Sequence, residues 1–516
     1  MKTTKELMKQ PGFYWICVCI TSVLSYGFTL TTFAITADDE SFVRFIDEGI
    51  LLAEGRWGYA PLKLVFDSYI FLPFWRNFIA LLLIVAAITL ICGIYRKYSE
   101  GRFDEKASTI FACVAISFPL TAHIFIFMLA TIELGLSLIF VGLALLCFAK
   151  WVLDKERVWY GILSTLSLGY AIAFRETAIV FFMIGGFSLL FLAFLYGKDQ
   201  EKAKIKSSFF ILLRMAGILV GSVLVWLLGA MFFRYLYSVE PLAYTTNMIR
   251  HDLSSISSIM WSIGNFLIFF PIVLLRQASD MITWIVIGAS IVLVGIGTIW
   301  AVRRKRTSLF FIAAFAVASS FAMHFFLGQV FPLYRIQTPF MFLVGFTVAL
   351  LYILCSQLQW KKLNLKYFVI FLSIWLVFFG SRQMNQVFFL DYLGYRKDVM
   401  VMDTIVHDLG GIQHEQPIVF VGMLPQQLPQ KEVAGHSVFN IAREVYWRGE
   451  VYTLRPHRFF EMHGFPIQHP GEVEKETLLY YIADMENWPT PGYIRKTENF
   501  VIVKLGPSAL EQFLVD

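Results

Sequence analysis

The chain has 516 residues, of which 58% are hydrophobic and only 16% charged, and its mean hydropathy is +0.65. That is more apolar surface than a water-soluble core of this size needs, which excludes a cytosolic enzyme, a disordered chain and a secreted disulfide scaffold. The net charge of +6, from 43 basic and 37 acidic residues, gives no argument for nucleic acid; its distribution along the chain carries the information.

A membrane span needs about 20 apolar residues to cross about 30 Å of hydrocarbon. The sequence offers about eleven such segments, at 13–36, 71–95, 107–130, 132–149, 158–174, 177–196, 208–236, 281–301, 308–328, 337–356 and 367–386. Alternate loops hold twenty-one basic residues against eight in the loops between them, and the runs Arg96-Lys97 and Arg303 to Arg306 are typical of the richer set. The positive-inside rule therefore predicts a cytoplasmic N-terminus and an extracytoplasmic tail from residue 387. The stretch 256–275 is apolar enough to span, but a crossing there would place Arg303 to Arg306 outside, so it is expected to be interfacial or re-entrant. The first apolar run is too long for a cleaved signal peptide. All six cysteines (17, 19, 92, 113, 147 and 355) fall in spans, where they read as small apolar packers without a disulfide framework.

Ionisable residues in mid-span usually mark an ion or proton relay. Here only His123 and His324 lie deep, since Arg214, Arg76 and Arg382 sit where they can snorkel to an interface. The polar chemistry gathers instead at the outer helix ends. Directly after the first span the chain reads Asp38-Asp39-Glu40, followed by an apolar stripe (Phe42, Phe45, Ile46, Gly49, Ile50, Ala53) with helical spacing. The stripe predicts a helix over 39–54 lying on the membrane surface, with the acids at its start. One acid serves as an N-cap, whereas two that face each other keep one poised as a base. Gly55-Arg56-Trp57 closes the helix: glycine suits the stop, and arginine and tryptophan suit the interface.

Glu133 falls in the next outer turn, fourteen residues after Pro119 and with no basic neighbour in sequence, so plain solvation is its simplest reading. Arg175-Glu176 forms the following outer turn. The span before it has only about 17 residues, or about 25 Å of helix, which recesses the pair below the surface and makes a mutual salt bridge the simple alternative to anion binding. Arg335, within Phe331-Pro332-Leu333-Tyr334-Arg335-Ile336-Gln337-Thr338-Pro339, is placed to hold a phosphate bidentately. Arg250, His251 and Arg276 add positive charge to the same side. Carboxylates in two outer turns and arginines in several others are what sugar transfer from a lipid phosphate requires: the acid takes the acceptor hydroxyl's proton and the cations stabilise the leaving phosphate.

The tail, 387–516, shows helical spacing at Val399, Met402, Ile405, Val406 and Leu409, stopped by Gly410-Gly411, and β-like runs at 417–422, 451–454 and 500–505. A small extracytoplasmic α/β domain is expected. It holds His407, His414, His436, His457, His463 and His469, whose scatter fits solvated surface residues better than a metal site.

These features together resemble the GT-C superfamily of polyprenyl-phosphate-sugar-dependent glycosyltransferases. Asp38-Asp39 occupy its acidic motif after the first span, Pro119 with Glu133 the next acidic turn, Arg175 the basic turn after span five, and Arg335 the late outer arginine beside prolines. Asp-Asp-Glu together with Gly55-Arg56-Trp57 resembles the glucosyltransferase II family, whose members modify O-antigen and related envelope polysaccharides. The turn Arg175-Glu176-Thr177 departs from the Tyr-Gln type associated with that family. The resemblance implies an all-α polytopic membrane protein with a GT-C-like catalytic part over 1–386. It implies an inverting transfer from a polyprenyl-phosphate-linked sugar, glucose the first expectation, to an envelope glycan acceptor. Asp38 or Asp39 would be the base with Glu133 as a further catalytic acid, and Arg56, Arg175 and Arg335 would hold the donor phosphate. Glu40, Glu176, Arg250, His251 and Arg276 would be donor or acceptor contacts. No metal ligands are assigned, although the acids leave room for a divalent cation. The rival readings are a lipid-linked oligosaccharide flippase and a polysaccharide polymerase.

Overall fold

The computed structural model describes residues 11–32, 34–35, 39, 48–63, 73–127, 131–197, 205–241, 281–322, 334–357, 364–411, 416–424, 438–439, 455–468 and 475–507. Asp38, Glu40, Arg250, His251, Arg276, the stretch 256–275, the run 451–454, His324, His414, His436 and His469 lie outside the described residues. The first helix, α1 (Gly12–Thr31), begins after Pro11, whose extended backbone cannot itself continue a helix backwards. Its buried face, Tyr14, Val18, Ser22, Ser25, Tyr26 and Thr29, recurs every third or fourth residue, while Phe13, Ile16, Ile20 and Val23 are exposed. Apolar residues turned outward and small hydroxyls turned inward are the pattern of a helix solvated by lipid, because lipid tails give no hydrophobic reason to bury leucine.

Two short helices follow, α2 (Glu48–Ala53) and α3 (Tyr59–Lys63). Then come α4 (Pro73–Tyr98) and α5 (Glu105–Ile116), the latter capped by the Asp104 carboxylate, which accepts from the Ala107 N–H over 2.9 Å. The segment expected as one span at 107–130 is broken. α5 stops at Ile116, Pro119 opens a short 3₁₀ turn, and α6 (Ala122–Phe125) continues at 44° to α5. Proline has no N–H for the helical ladder and disfavours helix in the residue before it, so the break belongs at this point.

The bundle continues with α7 (Thr131–Val152), α8 (Trp159–Phe174), α9 (Ala178–Tyr196), α10 (Ile205–Tyr237), α11 (Met281–Arg304), α12 (Thr307–Ser320), α13 (Phe340–Gln357) and α14 (Leu365–Asp408). Among the described residues, eight helices are long and apolar enough to cross a membrane, or nine if the bent pair α5–α6 is one span. α8 and α12 are apolar but shorter. A helix thus stands in each of the segments read as spans, and the chain is a multi-pass membrane protein.

Contacts between helix ends fix their alternation. Lys97 pairs with Asp154 at 2.7 Å, Arg306 donates to the Phe194 carbonyl over 2.8 Å, and Gln357 reaches the Tyr196 hydroxyl over 3.4 Å, all at the basic end of the bundle. At the opposite end Arg234 meets Leu52, and the Gly58 N–H meets Ala173. α10 therefore finishes at the end opposite Phe194, and α11, whose last residue lies two before Arg306 beside Phe194, starts at the same end of the bundle at which α10 stops. The two flanks of 242–280 lie at the same end.

The last helix differs most from expectation. The span at 367–386 and the helix around 399–409 are one 44-residue helix, α14, roughly 66 Å long. Between 386 and 408 the chain has one glycine and no proline, so nothing interrupts the ladder until Gly410 and Gly411, both at positive φ. Its first half packs on α1, where the Ser25 and Ser381 hydroxyls bond at 2.8 Å and Asn385 donates to the Leu24 carbonyl. Its second half is a wall of the terminal unit.

That unit contains β1 (Ile418–Val421), α15 (Arg455–Met462), α16 (Lys475–Ile482), β2 (Ile494–Lys496) and β3 (Val501–Lys504). The sheet order is β1-β3-β2, with β1 parallel to β3 in register Ile418 to Val501, and β2 antiparallel to β3. Alternation along the strands sends Ile418, Phe420, Val501 and Val503 toward α14 and α15, and Val419, Val421 and Ile502 toward α16. Both faces are covered, so β1 is apolar throughout and β3 is apolar up to its last residue, Lys504. His457, expected on the surface, is buried with Nε2 2.7 Å from the Ile418 carbonyl.

Candidate active site

The loop after α2 is held on three sides. The Gly55 N–H bonds the Leu52 carbonyl and the Arg56 N–H the Leu51 carbonyl, a helix stop that needs the left-handed backbone of Gly55 at φ +84°. The Trp226 ring N–H donates to the Gly55 carbonyl over 2.9 Å, and the Trp57 ring N–H returns to the Trp226 carbonyl over 2.9 Å. Trp57 stacks on Phe233 with 5.5 Å between ring centres and sits against Gly229, where any Cβ would collide with its ring. The Tyr170 hydroxyl bonds the Gly58 carbonyl. The two indoles, Gly55 and five hydrogen bonds leave the backbone of Arg56 little freedom.

Arg56 then projects into a group of carboxylates. Its Nε lies 3.4 Å from Glu176 Oε1, one Nη1 contact reaches Glu54 Oε2 at 3.4 Å, and another reaches Glu133 Oε2 at 3.9 Å. Glu133, a candidate catalytic acid for which plain solvation was the simple alternative, is 2% exposed and faces Arg56, 77 positions earlier in the chain. A buried carboxylate costs several kcal/mol unless cations and donors compensate it. Glu133 has Arg56, the charge of Arg175 and a hydrogen bond from the Tyr59 hydroxyl. Burial and the neighbouring Glu133 push Tyr59 well above the ordinary phenol range, which keeps its hydroxyl a donor.

A salt bridge between Glu176 and Arg175 was the simple alternative to anion binding, and the close partner of Glu176 is Arg56. Burial alone would raise its carboxyl; Arg56, a backbone N–H and Arg175 outweigh that and hold it below its usual range. Arg175 itself is buried at the start of the turn, and Arg76 from the first turn of α4 is buried within electrostatic reach of Tyr59. The site is graded: Glu133 at its floor, Arg56 and Glu176 about one third exposed at its mouth.

Asn77, beside Arg76, donates to the Thr29 carbonyl and hydroxyl at 3.3 and 3.2 Å, tying this cluster to the end of α1. There Thr29, Thr32, Ala34, Phe125, Ile126, Phe388, Asp391 and Tyr392 line a small cleft. Asp39 is fully buried and lies, with Asp398, within electrostatic reach of Asp391. The backbone turn Tyr334–Gln337, which carries Arg335, packs against the 3₁₀ turn at Pro119 and against α6, the element that supplies Phe125.

Of the residues singled out from sequence, Arg56, Glu133, Arg175 and Glu176 come together in one cluster, Asp39 stands in the second, and the turn of Arg335 packs on the element bordering that second one. Asp391, Tyr59 and Asn77 were not singled out, and Arg76, read as snorkelling to the interface, is buried beside Tyr59. The available signal for Asp391 was Phe388, Asp391, Tyr395 and Asp398 at helical spacing, a stripe with two acids on one face. Among the described residues no group of three His, Cys, Asp or Glu side chains could hold a metal ion.

The family model of glucosyl transferase GtrII matches residues 27–258, a stretch from the second half of α1 past α10 that contains Asp39, Arg56, Glu133, Arg175 and Glu176. Comparison with curated proteins and with solved structures finds no match.

Proposed function

We propose that this protein is a GT-C-like membrane glycosyltransferase that moves a glucosyl group from a polyprenyl-phosphate carrier to an envelope polysaccharide on the extracytoplasmic side. The observation that carries this reading is the meeting of Arg56 with Glu133 and Glu176 at one end of a membrane bundle, inside the stretch matched by the GtrII model. The basic residues crowd the other end, which supports an extracytoplasmic site. The terminal unit built on the second half of α14 would stand above the membrane on the same side as the clefts.

In this reading the carrier's phosphate enters from the lipid and exchanges for Glu54 and Glu176 around Arg56, whose planar fork suits two phosphate oxygens. Arg175 and Arg335 add charge as the phosphate leaves. Asp39, or Asp38 beside it, takes the proton of the acceptor hydroxyl. The freed oxygen bonds to C1 of the sugar while the C1–O bond to phosphate breaks, and the lipid phosphate departs with that electron pair. Displacement at C1 inverts its configuration. Glu133 keeps Arg56 aimed and holds the site together between substrates, and Glu40, Arg250, His251 and Arg276 extend the contacts to donor and acceptor.

The test is transfer of labelled glucose from synthetic polyprenyl-phosphate glucose into envelope polysaccharide, in membranes with and without the protein. Wild-type membranes should transfer it, and Asp39→Asn should lower the rate about 10²- to 10⁴-fold, the usual contribution of a positioned base, with unchanged protein level. Translocation of the carrier without any glycosidic product would favour a flippase and overturn the proposal.

A further inference from the structure

The small cleft at the end of α1 holds a carboxylate that the functional reading leaves unused. Asp391 is 5% exposed, its Oδ1 has no hydrogen-bond partner, and it faces a cleft bordered by Phe125, Phe388 and Tyr392. A buried carboxylate oxygen with nothing to accept from is costly. Such groups persist where a ligand supplies the missing donor. The other half of the site comes from the far end of the sequence. Thr29, Thr32 and Ala34 line the same cleft, Ile35 packs with Val401 and Met402 along α14, and the buried Asp39 that follows lies within electrostatic reach of Asp391. Asp398, one helical repeat further on, is occupied: it accepts the Val438 N–H over 2.7 Å.

We propose that Asp391 touches the substrate, accepting from a hydroxyl of the sugar that enters the cleft between the first and last membrane helices, with Asp39 as the neighbouring carboxylate. Sugar hydroxyls donate to carboxylates, and the apolar faces of a pyranose pack on aromatic rings such as Phe388 and Tyr392, so the lining suits a neutral sugar better than a phosphate. Two acids close together do not titrate independently. With Asp39 as base, a charged Asp391 adds repulsion to it, and an acceptor hydroxyl that enters beside the two can donate to either. The proposal rests on the glucosyl-transfer reading and adds a residue outside the stretch matched by the family model.

The experiment measures glucose transfer from synthetic polyprenyl-phosphate glucose as a function of pH for wild type, Asp391→Asn and Asp391→Glu, with melting temperature in detergent as the fold control. Asp391→Asn should cut kcat/KM at least tenfold and move the acid limb of its pH profile to lower pH, because the repulsion on Asp39 is gone. Asp391→Glu should recover part of the rate and return the limb toward wild type. A wild type that transfers glucose beside an Asp391→Asn protein with unchanged rate and pH profile overturns the subsite and leaves the functional reading standing. Loss of rate with an unmoved acid limb and no recovery in Asp391→Glu assigns Asp391 to structure and overturns it as well. If Asp391→Asn fails to fold, Asp391→Glu decides alone through its rate: a kcat/KM equal to that of wild type overturns the subsite. A wild type that transfers nothing overturns both readings.

Discussion

Arg234 of α10 holds the C-terminus of α2 through the carbonyl of Leu52: its Nε donates over 2.9 Å, and its Nη2 donates over 2.8 Å to the adjoining Ala53 carbonyl. The last carbonyls of a helix have no partner of their own, and a cation is the favoured one. Arg56 follows three residues after Ala53, so the guanidinium that stops α2 also fixes where the candidate phosphate ligand points. Charge-assisted bonds of this kind contribute about 1.5–3 kcal/mol each. Arg234→Met should therefore lower glucose transfer at least tenfold, chiefly through a higher KM for the donor, while the bundle melts within a few degrees of wild type. Equal donor KM in the two proteins would show that α10 does not position Arg56.

Glu176 predicts an acid-sensitive contribution to stability. Its carboxyl is held below the ordinary glutamate value of about 4.3 by Arg56 and Arg175 against the effect of burial. A depressed pKa in the folded protein stabilises it above the unfolded pKa, and that contribution fades as pH falls through the folded value. Glu176→Gln should melt below wild type at pH 7, and the two melting curves should converge below about pH 4 as the wild type protonates. A difference in melting temperature that stays constant from pH 7 to pH 3.5 would show that the Arg56 pair adds no linkage.

The membrane part was legible because hydrocarbon imposes a length: among the described residues a helix stands in each of the eleven segments read as spans. The same argument hid Asp391. Ending the last span at 386 assumed that the helix stops where the lipid does, although nothing between Gln386 and Asp408 stops one. Arg56, Glu133 and Glu176 could each be suspected from their places at helix ends. Their pairing could not, since 77 and 120 positions separate the partners and no local pattern records a tertiary contact. β2, three residues long, and the burial of His457 escaped for a similar reason: each is decided by the strand beside it.

Lys504 gives a test of the terminal unit. It ends β3 yet is 4% exposed, with its ammonium donating to the Ile482 carbonyl over 3.2 Å and the Met485 carbonyl over 2.9 Å, at the end of α16. Lys504→Met keeps the aliphatic stem and leaves two buried carbonyls without that donor, a loss of about 1–3 kcal/mol. Limited proteolysis should cut the variant sooner in 475–507 while α1 to α13 stay protected. If the terminal unit were held mainly by its apolar sheet faces, cleavage rates would not change.

Gly380 tests the seat of the last helix. A Cβ there would run into the carbonyl of Ser117, the residue at which α5 stops before the Pro119 bend. That carbonyl is backbone at a fixed break, so it cannot swing aside as a side-chain tip would. Ser381, next along, bonds Ser25, and both contacts seat α14 against the bend and α1. Gly380→Ala should lower the melting temperature by the equivalent of about 1–3 kcal/mol, the usual cost of overpacking, and should depress transfer further because Asp391 is three turns along the same helix. Gly288→Ala on α11 is the control: a Cβ there meets nothing within 4 Å, and alanine is the better helix former. Equal melting temperatures for the two variants would mean that α14 can withdraw from the bend without loss, and the close approach at Ser117 would then not be what positions Asp391.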